Sequence, residues 1–112
     1  MHELSIAESL MSLIVENARK SGARSVIKVS IVVGNLSGIV GDSLKFCFDE
    51  AKRSTVAKDA ELVVDEVSAT AYCVKCETQF AVDQYVFNCP DCGEVVIPSG
   101  GQELYLKDME VE

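Results

Sequence analysis

Basic residues are scarce in this chain: ten Lys and Arg stand against eighteen Asp and Glu, a formal net charge of −8 over 112 residues. A field of that sign repels phosphate backbones and anionic lipid, so nucleic acid and membranes are excluded as partners and cations or basic protein surfaces are favoured. Histidine is scarcer still, with His2 alone. That leaves no Ser/His/Asp set and no HExxH. The glycines at 34, 38 and 41 lack a following Gly-Lys-Ser/Thr and read as turn residues, so the residues do not describe an enzyme. No apolar run approaches the ~20 residues that span a bilayer, and no basic region precedes a signal-peptide core, so a cytoplasmic location is expected. Internal repeats beyond two CxxC turns and low-complexity tracts are missing as well.

What remains is ordinary globular material. Hydrophobic residues make up 48% and charged residues 25%, too apolar for disorder, and the length suffices for one good core plus a small stapled module. Over residues 4–20, Ile6, Leu10, Leu13, Ile14 and Ala18 recur at helical spacing, Gly22 stops the run, and Ser5 with Glu8 has capping-box spacing that would leave the first residues outside the helix. Residues 25–33 alternate around Ile27, Val29, Ile31 and Val33, the pattern of a strand. Asp42 can cap a second helix with the stripe Leu44, Cys47, Phe48 and Ala51, which places the Cys47 thiol in the core. Residues 60–69 and 103–111 have strand composition.

The terminal strand needs a sheet partner that a module of about 30 residues cannot supply, so it is expected to return to the first sheet. The fold class predicted is therefore α+β: a small sheet with two helices plus an inserted four-cysteine zinc-ribbon module. The domains expected are residues 1–69 with 102–112, and residues 70–101, with Pro98, Ser99, Gly100 and Gly101 as the return linker.

The strongest signal is the pair of CxxC turns, Cys73 with Cys76 and Cys89 with Cys92, separated by twelve residues that are long enough for a hairpin over 79–87. Each turn can aim two sulfurs at one point, and two turns complete a tetrahedral thiolate site for structural Zn(II). An odd count of five cysteines suits metal thiolates in a reducing compartment better than a disulfide framework. Tyr72, Phe80, Tyr85 and Phe87 are too few apolar groups to hold so small a module, so the ion must contribute to folding. Iron would use the same four sulfurs and would colour the protein red. Four protein ligands leave no open position for a substrate.

On spacing alone His2 reads as a solvated terminal residue. Taken together, MHELSIAESL at 1–10, GNLSGIV at 34–40 and the paired CxxC turns resemble the HypA/HybF family of hydrogenase-maturation nickel chaperones, over essentially the whole chain. The resemblance implies a nickel-binding α/β domain carrying the N-terminus, a four-cysteine zinc domain, and delivery of Ni(II) to the large subunit of a [NiFe]-hydrogenase. It also implies cooperation with the GTPase HypB and, in some organisms, supply to urease; a homodimer is compatible with it.

It reverses the weighing of His2. The imidazole and the backbone nitrogens of Met1, His2 and Glu3 can close five- and six-membered chelate rings, and a planar nitrogen-rich set suits Ni(II) over Zn(II). The bulk of His2 predicts a retained Met1. Glu3 offers an amide nitrogen or a carboxylate, and the residues do not choose between them. No histidine flanks either CxxC pair and no second histidine exists, so backbone, carboxylate or water must complete the nickel plane. The alternative from another class is a zinc-ribbon adaptor or nucleic-acid-associated module. It would need a basic, aromatic stripe, whereas Lys75 is the lone cation between Cys73 and Cys92 against Glu77, Asp83 and Asp91.

Overall fold

The computed structural model describes residues 3–83 and 85–112. Its elements, in order, are α1 (Glu3–Ser21), β1 (Val26–Gly34), α2 (Gly41–Ala51), β2 (Glu61–Val67), β3 (Ala69–Cys73), β4 (Thr78–Val82), β5 (Pro98–Ser99) and β6 (Leu104–Val111). They form two helices and two three-stranded sheets, ordered β2-β1-β6 and β4-β3-β5. This is the α+β class expected, and the terminal strand does return to β1. Among the described residues no helix is long and apolar enough to cross a membrane.

Backbone hydrogen bonds give the strand directions of the first sheet. Ser25 and Glu112 exchange bonds at one end of β1, and Gly34 N–H donates to Glu103 O at the other, so β6 runs antiparallel to β1. Asn35 N–H donates to Val67 O, which sets the C-terminal ends of β1 and β2 side by side. Those two strands are thus parallel, and α2 lies in the crossover that a parallel pair requires.

The chain divides into two compact units: Met1–Ile31, Ile39–Asp65 and Tyr105–Glu112 form one, and Val32–Gly38 with Glu66–Leu104 form the other. In the first unit α1 buries Ala7, Leu10, Met11, Ile14 and Ala18, and α2 buries Leu44 and Phe48. The buried stripe of α1 is turned from the one read in the sequence, because Leu13 is exposed while Ala7 and Met11 are covered. Small Ala7 and flexible Met11 suit the close contact of α1 with α2.

Five local expectations change. Ser5 and Glu8 lie inside α1, since the helix already runs at Glu3. The N-cap of α2 is Val40, with Asp42 in the first turn, where a carboxylate still opposes the helix dipole favourably. The expected strand over 60–69 is two strands in different sheets, broken at Ser68. The hairpin does not lie within 79–87; it is β3–β4, closed by the first CxxC turn, and Pro98–Ser99 of the expected linker pairs with β3.

The second unit is larger than residues 70–101, because it takes in Val32–Gly38 and the segments flanking the module. One close backbone approach fixes this. A Cβ on Gly34 would collide with the carbonyl carbon and oxygen of Gly101, and one on Gly101 would sit 2.6 Å from the Ala69 Cβ. Asn35 adds side-chain bonds, donating to Val82 O at 2.8 Å and accepting from Ala69 N–H at 2.9 Å.

Candidate metal centre

The second unit's core is Leu36, Ala69, Ala71, Cys73, Val82, Cys89 and Val96, with Cys76, Phe80, Phe87 and Cys92 packed against it. Four of these eleven residues are cysteines, so sulfur is a main constituent of the interior.

Two turns of the same construction deliver the sulfurs. In the first, Glu77 N–H donates to Cys73 O at 2.7 Å, and Glu77 takes a left-handed φ of 54°. In the second, Gly93 N–H donates to Cys89 O at 2.9 Å, with φ 79° at Gly93. The residue after each second cysteine thus closes its turn in the left-handed region. Glycine does so freely, while Glu77 bears a strain of about 1–2 kcal/mol. Asn88 Nδ2 donates to Gly93 O at 3.1 Å and holds the second turn from outside.

Each turn contributes one buried sulfur, from Cys73 and Cys89, and one half-buried, from Cys76 and Cys92. The four Sγ atoms lie within 4.8 Å of one another, with Cys73 to Cys92 at 3.6 Å and Cys76 to Cys89 at 3.9 Å. Sulfurs about 2.3 Å from a central ion at tetrahedral angles stand about 3.8 Å apart, so these separations fit a zinc ion. All four cysteines are free thiols.

Crowding makes the ligand-free set resist full ionisation. The neighbouring Cys92 sulfur, with burial, pushes the Cys76 thiol up to about 12. The backbone N–H of Cys92, joined by that of Asp91, holds Cys89 down to about 7 against its burial. Cys92 itself is raised on balance, although the Glu94 backbone N–H favours its thiolate. Cys76 N–H also donates to Cys73 Sγ at 3.4 Å. Such a pocket retains protons that a dication would displace, which is the chemistry of a metal-thiolate site.

The other residues named from the sequence fare differently. Met1 and His2 lie outside the described residues. Glu3 opens α1 and is buried, its carboxylate accepting from Val40 N–H at 3.3 Å. Its own amide N–H, followed by that of Val40, holds the carboxyl below its usual value of 4.5. Cys47 is not in the core; it is half-buried and lines a cleft with Glu3, Leu4, Asp42, Ser43 and Phe46. Sequence reasoning also missed Glu77: its position after the second cysteine matches that of Gly93, a correspondence visible in the two CxxC turns.

The family model described as hydrogenase/urease nickel incorporation, metallochaperone, hypA matches residues 1–111. The hydrogenase maturation factor HypA of Caldanaerobacter subterraneus subsp. tengcongensis is 42% identical, and that of Chlorobaculum parvum 40% identical, each with all of both chains covered. The solution structure of the Ni metallochaperone HypA from Helicobacter pylori shares 27% identity and superposes with a TM-score of 0.69, covering 99% of this chain and 97% of that one. With its whole length matched in sequence and in fold, this chain belongs to the HypA family of nickel-incorporation metallochaperones.

Proposed function

We propose that the chain carries Ni(II) on its first three residues, Met1, His2 and Glu3, and delivers it to the large subunit of a [NiFe]-hydrogenase in the cytoplasm, with HypB as the cooperating GTPase. Urease is a second destination. The observation that carries this reading is the family match across residues 1–111, which takes in the MHE start together with both CxxC turns. In this reading Cys73, Cys76, Cys89 and Cys92 hold Zn(II), which supplies cross-linking of the second unit and no reactive position.

A nitrogen donor set at a chain end has few bonds to surrender and stays open to a partner, as a carrier requires. Glu3 narrows the choice of donors. Its carboxylate is already engaged by Val40 N–H and by its own amide N–H, so either group joins a nickel site only by breaking that contact. His2 must be neutral to coordinate, and nickel affinity therefore falls as pH drops through about 6.5.

The test is metal analysis of the wild type, of His2→Ala and of a chain extended at its amino terminus. Zinc stays at one ion per chain in all three, and nickel binding is lost or much weakened in the last two. Unchanged Ni(II) uptake after the amino terminus is blocked would overturn the carrier site while leaving the cysteine centre intact.

A further inference from the structure

β3 is paired along its whole length with β4, from Ala69↔Val82 to Cys73↔Thr78. On its other side it meets β5 for two pairs only, Thr70↔Ser99 and Ala71↔Pro98. Before Pro98 the opposing chain is drawn away to another partner: Val96 N–H donates to Phe87 O at 2.9 Å, Cys89 N–H to Glu94 O at 2.8 Å, and Val95 bridges Asn88. A groove of about 700 Å³ opens where the ladder parts, lined by Tyr72, Val74, Lys75, Glu94, Val95 and Ile97 among others.

Ile97, Val74 and Val95 are 87%, 81% and 78% exposed, the three most exposed large hydrophobic residues among those described. Scattered singly they would need no explanation, but together in one groove they mark a contact surface. Pro98 has no N–H, so Thr70↔Ser99 is the hydrogen-bonded pair, and antiparallel alternation turns the main-chain groups of Tyr72 to the same side as those of Thr70. The groove therefore offers a strand edge beside apolar side chains, the combination that binds an extended segment by strand addition.

Charge selects the segment. The second unit carries Glu66, Glu77, Asp83, Asp91, Glu94 and Glu103 against the single cation Lys75. Four thiolates around a dication would add a further net charge of about −2. Acidic peptides and phosphate backbones are repelled from such a surface.

We propose that this groove is a docking site for an extended segment of a partner protein in which apolar residues alternate with Lys or Arg. The apolar side chains face the groove, and the cations turn outward into the net negative field of the second unit, as the two-residue period of a strand allows. The proposal does not depend on nickel at the N-terminus.

The experiment measures fluorescence anisotropy of a labelled ten-residue peptide alternating Val or Ile with Lys or Arg, titrated with the metal-loaded full chain, against a counterpart with Glu at every Lys or Arg. The basic peptide is expected to bind at least about tenfold tighter and to weaken with salt. Val95→Ser and Ile97→Ser, both at exposed positions that leave folding and metal content unchanged, reduce that affinity by about fivefold each. Phe46→Ser, an exposed residue of the other unit, leaves it unchanged, and amide shifts on binding concentrate at 72–75 and 94–97. Equal binding of the acidic peptide, or equal loss in Phe46→Ser, overturns the proposal. So does self-association of the wild type abolished by Ile97→Ser, which would seat a second copy in the groove.

Discussion

Acid is the cleanest probe of the cysteine centre, because the ligand-free sulfurs hold protons that the ion must expel. Near pH 7 Cys76, at about 12, and Cys92, raised above its usual 9.0, are protonated, and Cys89, at about 7, is half so. Zinc binding then releases at least about two protons, those of Cys76 and Cys92, and each proton changes the apparent binding energy by about 1.36 kcal/mol per pH unit. The sign follows: protons stabilise the metal-free form, so affinity falls as pH falls, by at least about 100-fold per unit near neutrality. Below pH 7 Cys89 takes up its remaining proton fraction and the dependence steepens. Structural zinc sites bind by about 10–16 kcal/mol, and micromolar retention needs about 8 kcal/mol, so a surplus of about 2–8 kcal/mol is exhausted and the ion has left the wild type by about pH 4. Competition with a chromophoric chelator from about pH 6.5 to pH 7.5 gives the proton slope, and amide NMR follows residues 69–99 as zinc is withdrawn. Two results refute the reasoning: a slope of about one proton or fewer, or a second unit whose amides stay dispersed after the metal is removed at neutral pH.

The two left-handed turn positions should respond in opposite ways. A Cβ on Gly93 meets nothing within 4 Å, so Gly93→Ala costs only its backbone strain, about 1–2 kcal/mol in the denaturation midpoint of the metal-loaded protein. Glu77→Gly relieves the same strain, less about 0.5–1 kcal/mol of added chain entropy, and is neutral to mildly stabilising; a clear loss there would contradict the turn geometry. At the start of α1, the depressed Glu3 carboxyl stabilises the fold above its unfolded pKa, and that contribution disappears as pH falls through the folded value. Thermal melts of the wild type and Glu3→Gln should therefore differ at pH 7 and converge only once the pH lies below the folded value, itself depressed under 4.5. A gap that persists in acid would assign the loss to shape rather than charge.

The parts legible in the sequence are those with a strong local cause. Alternation over 25–33 gave β1, the helical stripes gave both helices, and the doubled CxxC spacing brought four sulfurs together in space. What escaped depends on partners remote in sequence. The chain changes sheets at Ser68 because residues on its two sides pair with β1 and with β4, a choice that their shared β-branched composition cannot express. Val40 caps α2 without a side-chain bond, and its N–H is taken by a carboxylate 37 residues earlier, which no capping rule looks for. Pro98–Ser99 reads as linker by composition, yet its two pairs with β3 bring the chain back beside the module. Burial on α1 departs from the sequence pattern at Leu13 for a related reason: the covered face, with Ala7, Leu10, Met11, Ile14 and Ala18, is set by tertiary packing rather than by where the largest side chains fall.

The two proposed metal centres obey opposite requirements, and each is met by a different kind of residue. A site that must build a core has to resist release. Here every ligand is a thiolate, two of the four are buried, and the turns that present them are closed by backbone bonds independent of any ion. Losing the metal would leave crowded sulfurs in the interior with no apolar group in their place, so holding the ion and holding the fold are one equilibrium. Cargo cannot be held that way, since delivery would then unfold the carrier. Donors at residues 1–3 would avoid the conflict: Glu3 is the one proposed nickel ligand among the described residues, and its carboxylate is satisfied by Val40 without any metal. An ion held there would depart without leaving the Glu3 carboxylate unpartnered.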